Sequence, residues 1–101
     1  MAITITVGRN IKGSVPMSTD LWADFREELS IAVRNTLGAP YFEGVGEGNS
    51  EQWGREDAFT IVADEPQFSD TRAKLYAELA RLGRFYGQDA VAVTEGVTSF
   101  L

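Results

Sequence analysis

The hydrophobic positions of this chain recur first at a period of two and then at a period of three to four. Ala2 to Val7 alternates isoleucine and valine with threonine, which is typical of a half-buried strand. Gly8 to Met17 has little periodicity and is predicted to be a loop. From Ser18 to Leu37 the apolar residues are spaced three, four and seven apart, which predicts an amphipathic helix. Gly38 suits the position after the helix end, and Pro40 prevents its continuation.

A hairpin is predicted at the centre of the chain, from Tyr41 to Ala63. Its first arm alternates from Tyr41 to Glu47, and Gly48 to Ser50 forms the turn signal. The second arm runs from about Gln52 to Ala63, and it starts polar and becomes apolar. Gly54 interrupts the strand pattern, which predicts a bulge at this position.

The second half of the chain repeats the order of a helix followed by a strand. Pro66 and the two carboxylates before it favour a helix start, and the apolar helical spacing continues to Gly87. Asp89 to Thr94 is predicted to be a strand, and an extra C-terminal strand is predicted over Val97 to Leu101. The chain therefore predicts a single α+β domain, residues 1–101, with the ferredoxin-like βαββαβ arrangement of a four-stranded antiparallel sheet and two helices on one face.

The composition excludes several classes of site. The chain has no cysteine, which rules out disulfides, thiolate metal sites and thiol nucleophiles, and no histidine, which removes the commonest general base and metal ligand. We therefore expect no enzymatic activity, no cofactor and no metal site. No apolar run reaches the roughly 18 residues that span a bilayer, and the amino terminus lacks the features of a signal peptide. A cytoplasmic protein without membrane contact is expected.

The net charge of −6 is concentrated in the central hairpin and the two residues that follow it. Seven carboxylates and one arginine lie between Tyr41 and Glu65, so the rest of the chain is balanced. This distribution argues against direct nucleic-acid binding and favours a partner protein with a basic surface. The residues predicted to bind this partner are Glu43, Glu47, Glu51, Trp53, Arg55, Glu56 and Asp57.

Two alternatives remain open. The first is a small-molecule-binding domain or minor enzyme with a cleft between the hairpin and the first helix, and the predicted lining is Tyr41, Trp53, Arg55 and Glu56. Glu56 and Asp57 are adjacent on a predicted strand and face opposite sides, so they are not expected to form a close acid–base pair. The second alternative is a structural homodimer, joined through the uncovered sheet face or the edge strands.

Two segments carry a resemblance to a known group of proteins. They are the hairpin YFEGVGEG…WGREDAFTIV and the helix-to-strand join RFYGQDAVAVT. In size and in these segments the chain resembles small uncharacterised accessory proteins of actinobacterial phages and related mobile elements. The resemblance implies binding and modulation of a host component in the host-cell cytoplasm. The main hypothesis is therefore a non-enzymatic interaction protein, encoded by a phage or mobile element, that binds a host protein through its acidic, glycine-rich hairpin.

Overall fold

The structure is a computed structural model that describes residues 2–11, 15–50, 54–88 and 91–96. Six strands and two helices occur within these ranges, and neither of these helices is long and apolar enough to cross a membrane. In chain order the elements are β1 (Ala2–Gly8), β2 (Asn10–Ile11), β3 (Val15–Pro16), α1 (Thr19–Thr36), β4 (Phe42–Ser50), β5 (Gly54–Asp64), α2 (Ser69–Phe85) and β6 (Ala92–Gly96).

The strands form a four-stranded antiparallel sheet in the order β4-β5-β1-β6, and β2 and β3 pair as a separate two-stranded ribbon. The two halves of the chain are interleaved in the sheet. The helix α1 connects β1 to β4, and β5 lies between these two strands in the sheet. The helix α2 connects β5 to β6, and β1 lies between those two strands. This is the order of the ferredoxin-like βαββαβ fold. The predicted α+β fold class is therefore confirmed.

Both helices pack on one face of the sheet. On β1 the buried Ile3, Ile5 and Val7 alternate with threonine and pair with the buried residues of β5. Trp22, in the predicted apolar stripe of α1, is only 3% exposed. Full burial of an aliphatic or phenylalanine side chain contributes roughly 1.5–3 kcal/mol. The core comprises Ile3, Ile5, Val7, Met17, Trp22, Phe25, Leu29, Ala32, Val33, Phe59, Ile61, Ala63, Leu75, Leu79 and Leu82.

The helix ends follow the capping signals of the sequence in three of four places. The Ser18 side chain accepts a hydrogen bond of 3.2 Å from the Leu21 N–H at the start of α1. Gly38 after α1 and Gly87 after α2 have φ values of 89° and 78°, a region where a Cβ is sterically unfavourable. α2 begins at Ser69, later than the predicted Pro66, and no side chain of the described residues caps its start.

The central hairpin is longer and more regular than predicted. Gly48 to Ser50, predicted as the turn, belong to β4, and Ser50 pairs with Gly54. The register is uninterrupted from this pair to Phe42 opposite Val62, so these paired residues contain no bulge. Glycine permits strand twist without requiring an extra residue, so each residue of β4 pairs with one residue of β5. Residues 51–53, between the two strands, lie outside the described residues.

Two further segments differ from their predictions. The predicted loop Gly8 to Met17 contains the β2–β3 ribbon. The strand predicted near the C-terminus is shifted along the chain, because hydrogen bonding to β1 continues until Gly96 lies opposite Ala2. Glu95 and Gly96, which follow the predicted strand, are therefore part of the sheet. The extra strand predicted over Val97 to Leu101 lies outside the described residues.

Candidate functional site

The register of the sheet divides the predicted partner-binding carboxylates between its two faces. Glu43 lies opposite the core residue Ile61 and therefore on the face that carries the helices. Glu47 and Asp57 oppose each other on that same face. Glu56 is on the other face, one residue along β5. The structure does not bring these acidic residues together as one surface.

The remaining residues of the two predicted sites are Glu51, Trp53, Arg55 and Tyr41. Glu51 and Trp53 lie outside the described residues, and Arg55 is described only through its backbone in β5. Tyr41 lies at the opposite end of the hairpin, where its hydroxyl donates a hydrogen bond to the Asp64 carboxylate. This hydrogen bond is the largest cause of a pKa of Tyr41 above its ordinary value, and desolvation is the second cause. Tyr41 is exposed and directly precedes the edge strand β4.

Glu43 joins β4 to α1 through two polar contacts. Ser30 Oγ donates a hydrogen bond to one carboxylate oxygen, and Arg34 Nη2 lies 3.3 Å from the other. Arg34 Nε also donates a 3.2 Å hydrogen bond to Ser30 Oγ. Ser30 and Arg34 are one helical turn apart, so both reach the same position on the strand. The Glu43 side chain is 25% exposed, and these contacts orient it from the helix side.

A cleft of about 390 Å³, open to solvent, lies between α1 and β4 beside this contact. Its α1 wall is formed by residues spaced three, four, seven and eight apart, which share one side of a helix. The lining combines two guanidinium groups, two carboxylates and one hydroxyl with an apolar part. We call this the α1–β4 cleft: its apolar part is Ala23, Ile31 and Phe59, and its polar part is Arg26, Glu27, Ser30, Arg34 and Glu43.

The two arginines of the α1–β4 cleft make different contacts within the protein. Arg34 contacts both Glu43 and Ser30. The guanidinium carbon of Arg26 lies 5.5 Å from the centroid of the Trp22 ring, which is a cation–π contact. Its Nε is buried and has no hydrogen-bond partner within the part of the chain that the structure describes. Arg26 therefore retains an unused donor at this site.

One alternative left open by the sequence is a cleft between the hairpin and the first helix, with a different lining. A cleft does lie between the hairpin and α1, yet Tyr41 and Glu56, two of its predicted lining residues, lie elsewhere. The residues that sequence reasoning missed are mainly on α1. Their signal is the helical spacing of Arg26, Ser30 and Arg34 beside the apolar stripe. That spacing places them on one side of the helix but does not reveal which strand lies opposite.

Glu56 and Asp57 attach the β2–β3 ribbon to the main sheet. Glu56 Oε2 accepts a hydrogen bond of 2.9 Å from the Asn10 N–H, on the face without helices. On the other face, Arg9 Nη1 lies 2.9 Å from Asp57 Oδ2, and Arg9 Nε donates a 2.8 Å hydrogen bond to the Met17 carbonyl. The two carboxylates face opposite sides, as predicted for adjacent strand residues. Both make structural contacts outside the α1–β4 cleft.

A second cavity, of about 420 Å³, lies between α2 and β6. Leu79 and two valines form an apolar floor, and Tyr76 and Arg84 are at its edge. The Tyr76 hydroxyl donates a hydrogen bond to Glu95. Desolvation is the largest cause that raises the pKa of Tyr76, and this hydrogen bond is the second. Arg84 is the one charged side chain among the described residues that line this cavity. The cavity is slightly larger than the α1–β4 cleft, but the cleft is better suited to a ligand with several charges.

Comparisons with known proteins find a similar fold. No protein-family model matches the chain, and no curated protein matches it. The chain is similar to a solved structure of a phage SAM lyase in complex with S-methyl-5'-thioadenosine, with a TM-score of 0.57 and 22% sequence identity. The alignment covers 91% of this chain and 76% of that chain. The two proteins share a fold.

This comparison contradicts two predictions made from the sequence. The main hypothesis, a non-enzymatic protein that binds a host protein through its acidic hairpin, is wrong, because the protein of the same fold is an enzyme with a small molecule bound. The same finding contradicts the prediction that this chain is not an enzyme. The second prediction relied on the missing histidine and cysteine. The first treated the hairpin charge as one surface, which the register divides between two faces.

Proposed function

We propose that this protein is a lyase that binds a SAM-like sulfonium nucleoside in the α1–β4 cleft and breaks one of its carbon–sulfur bonds. The observation that carries the proposal is the charge of the cleft. Two guanidinium groups and two carboxylates line a solvent-open cleft of about 390 Å³, in a fold shared with a phage SAM lyase. Sites for small molecules commonly span roughly 300–1,000 Å³ and contain a few convergent polar groups.

The charges of the cleft are complementary to those of the proposed ligand. S-adenosylmethionine (SAM) has a sulfonium cation, an α-ammonium group and an α-carboxylate, joined to an uncharged nucleoside. The carboxylates of Glu27 and Glu43 suit the two cations, and the guanidinium groups suit the carboxylate. The apolar part of the cleft provides contact for the nucleoside. Among the charged groups, Glu43 is the one oriented by contacts to both Ser30 and Arg34.

Cleavage of a sulfonium makes modest demands on protein side chains. When the carbon–sulfur bond breaks, its electron pair moves to sulfur, and the sulfonium leaves as a neutral thioether such as S-methyl-5'-thioadenosine. This leaving group needs no proton, so no histidine is required as a general acid. The amino-acid fragment loses one proton as the bond breaks, and the Glu43 carboxylate is a suitable acceptor for it. A chain without histidine or cysteine is therefore compatible with this reaction.

Measurement of SAM cleavage tests the proposal. Purified protein is incubated with SAM, and S-methyl-5'-thioadenosine is quantified by mass spectrometry. A sample without protein provides the rate of spontaneous breakdown. We expect release above that rate, in proportion to protein concentration. Release no faster than the spontaneous rate, together with no calorimetric binding of SAM or S-methyl-5'-thioadenosine, would contradict the proposal.

A pair of matched variants tests the assignment to the α1–β4 cleft. Glu43→Gln removes the proton acceptor and the negative charge near the sulfonium, and we expect the cleavage rate to fall by about 100- to 10,000-fold. Glu78→Gln makes the same change on α2, where Glu78 pairs with Arg81 outside the cleft, and is expected to retain the wild-type rate. Equal rates for the two variants would place the reaction elsewhere on the protein.

A further inference from the structure

Arg26 is the group in the α1–β4 cleft whose bonding is incomplete. Its side chain lines the cleft and packs over the Trp22 ring. Its Nε is buried and has no hydrogen-bond partner among the described residues. A buried donor without an acceptor costs free energy, and such groups in native proteins are often completed by a ligand, an ion or water. The side chain also makes no ion pair among the described residues, so the guanidinium group that lines the cleft is a candidate for contact with an anionic part of a ligand.

Arg34 is less suited to that role. It lies 3.3 Å from the Glu43 carboxylate and donates a hydrogen bond to Ser30. A ligand anion that paired with Arg34 would compete with these contacts. Arg26 has the cation–π contact with Trp22, which restrains the guanidinium group without using a carboxylate as its partner. Of the two guanidinium groups, Arg26 is the better anion site.

We infer that Arg26 binds the α-carboxylate of the substrate's amino-acid group and that the neighbouring Glu27 binds its α-ammonium. This inference rests on the proposed function. A guanidinium group presents two parallel N–H donors that match the two oxygens of a carboxylate. Glu27 lines the same cleft, one residue along α1, and supplies the opposite charge. The pair thus recognises a complete zwitterionic amino-acid group.

This arrangement has a consequence for ligand selection. A SAM-like substrate has both the nucleoside and the amino-acid group, whereas its thioether product has only the nucleoside. The product keeps the apolar contacts of the cleft but loses those with Arg26 and Glu27. The cleft is therefore expected to bind intact amino-acid-bearing nucleosides more tightly than S-methyl-5'-thioadenosine, which favours product release.

Calorimetry with two unreactive ligands tests the inference. S-adenosylhomocysteine has the α-carboxylate, and S-adenosyl-3-thiopropylamine is the same compound without it. Arg26→Gln is expected to weaken S-adenosylhomocysteine binding by about 10- to 100-fold, the range for loss of a charge-assisted hydrogen bond. The same substitution is expected to weaken binding of the decarboxylated ligand by less than about threefold, because that ligand has no partner for Arg26.

Two further variants complete the test. Arg81→Gln makes the same change on α2, where Arg81 pairs with Glu78, and is expected to alter neither affinity. Arg26→Lys keeps the charge but loses the planar pair of donors, so we expect an intermediate loss that is confined to the carboxylate-bearing ligand. If Arg26→Gln does not fold, this Arg26→Lys comparison decides the question.

The outcomes separate this inference from the proposed function. Selective weakening of the carboxylate-bearing ligand supports the role of Arg26. If the protein cleaves SAM but the Arg26 variants weaken both ligands equally, or neither ligand, the inference is overturned and the proposed function stands. Cleavage of SAM without any binding of S-adenosylhomocysteine also overturns the inference alone. Absence of both binding and cleavage overturns both.

Discussion

At the scale of single residues, the carboxylates of the central hairpin differ in what they contact. Glu43 contacts Ser30 and Arg34 beside the cleft, whereas Asp57 contacts Arg9 at the end of the sheet. Ion pairs of this exposure contribute at most about 1 kcal/mol each, but they fix the direction of the charged group. A count of charges along the sequence gives these residues the same weight. Their contacts give them different roles.

Gly8 is expected to be coupled energetically to Glu56. A Cβ at position 8 would lie 2.5 Å from the Glu56 carboxylate, which accepts a hydrogen bond from the Asn10 N–H. Gly8→Ala therefore displaces the carboxylate and breaks that hydrogen bond, with an expected loss of about 1–2 kcal/mol in the free energy of unfolding. In a Glu56→Ala background the same substitution is expected to cost little, because the clash and the hydrogen bond are already absent.

Urea unfolding of the wild type, the two single variants and the double variant measures this coupling. Gly46→Ala on β4 is a suitable control, since a Cβ there meets nothing within 4 Å. We expect that control to change the free energy of unfolding by less than about 0.5 kcal/mol. An equal cost of Gly8→Ala in both backgrounds would show that the two residues are independent.

At the scale of elements, each helix is tied to an edge strand of the described sheet by a carboxylate on that strand. Glu43 of β4 contacts α1, and Glu95 of β6 contacts both Tyr76 and Arg72 of α2. The two attachments occupy equivalent positions, because Glu43 and Glu95 both lie opposite buried isoleucines. The charged cleft is nevertheless found only at α1 among the described cavities, where two arginines and a second glutamate line the same helix side.

Tyr76 is expected to make the attachment of α2 to β6 sensitive to alkaline pH. Desolvation and the hydrogen bond to Glu95 raise the pKa of Tyr76 above its ordinary value of 10.0, so the folded state favours the neutral phenol. This stabilisation is complete below the ordinary pKa and is lost as the pH rises through the higher folded-state pKa. Tyr76→Phe is therefore expected to cost about 0.5–1 kcal/mol near pH 7 and less at higher pH.

Urea unfolding at about pH 7 and about pH 11 checks this expectation. Tyr41 and Tyr86, whose pKa values are also raised, are present in both proteins, so their contributions cancel in the difference. The difference in free energy of unfolding between wild type and Tyr76→Phe should become smaller at the higher pH. A difference that is the same at both pH values would argue against a role for Tyr76 ionisation.

At the scale of the whole molecule, both helices lie on one face of the sheet, and no helix among the described residues covers the other face. Thr4, Thr6 and Thr60 occupy its central positions, opposite the core side of β1 and β5, and all three are half-buried. Phe42 on β4 belongs to the same face and is 54% exposed. A homodimer that covers this face stays a prediction. Since each copy has a net charge of −6, association is expected to be favoured at higher salt.

Sedimentation equilibrium at protein concentrations on the order of tens of micromolar measures this association. We expect a dimer for the wild type and a shift towards monomer for Thr6→Arg, because the substitution places a charge at the centre of the face. Ala77→Arg, on the exposed side of α2, introduces the same charge away from the face and is expected to leave the dimer intact. A wild-type protein that is strictly monomeric at high concentration would contradict the prediction.

The hydrophobic pattern predicted the regular elements well, and glycine was the main source of error. The predicted helix from Ser18 to Leu37 differs from α1 by one residue at each end, because its apolar stripe and its capping signals agree. The glycines at positions 48 and 54 were interpreted as a turn and a bulge, yet both lie in paired strand. Glycine permits many backbone conformations, so its presence alone does not decide among them.

The sequence by itself determined the periods of the elements and the apolar sides that form the core, and it left a cleft between the hairpin and the first helix as one alternative. Only the tertiary structure decided which side chains line that cleft, including the contact of Glu43 with Ser30 and Arg34 and the incomplete bonding of Arg26. The physical reason is that periodicity records which side of an element is apolar, whereas a site depends on which polar residues of different elements meet. That meeting is set by strand register and helix packing, which join residues that are distant in the chain.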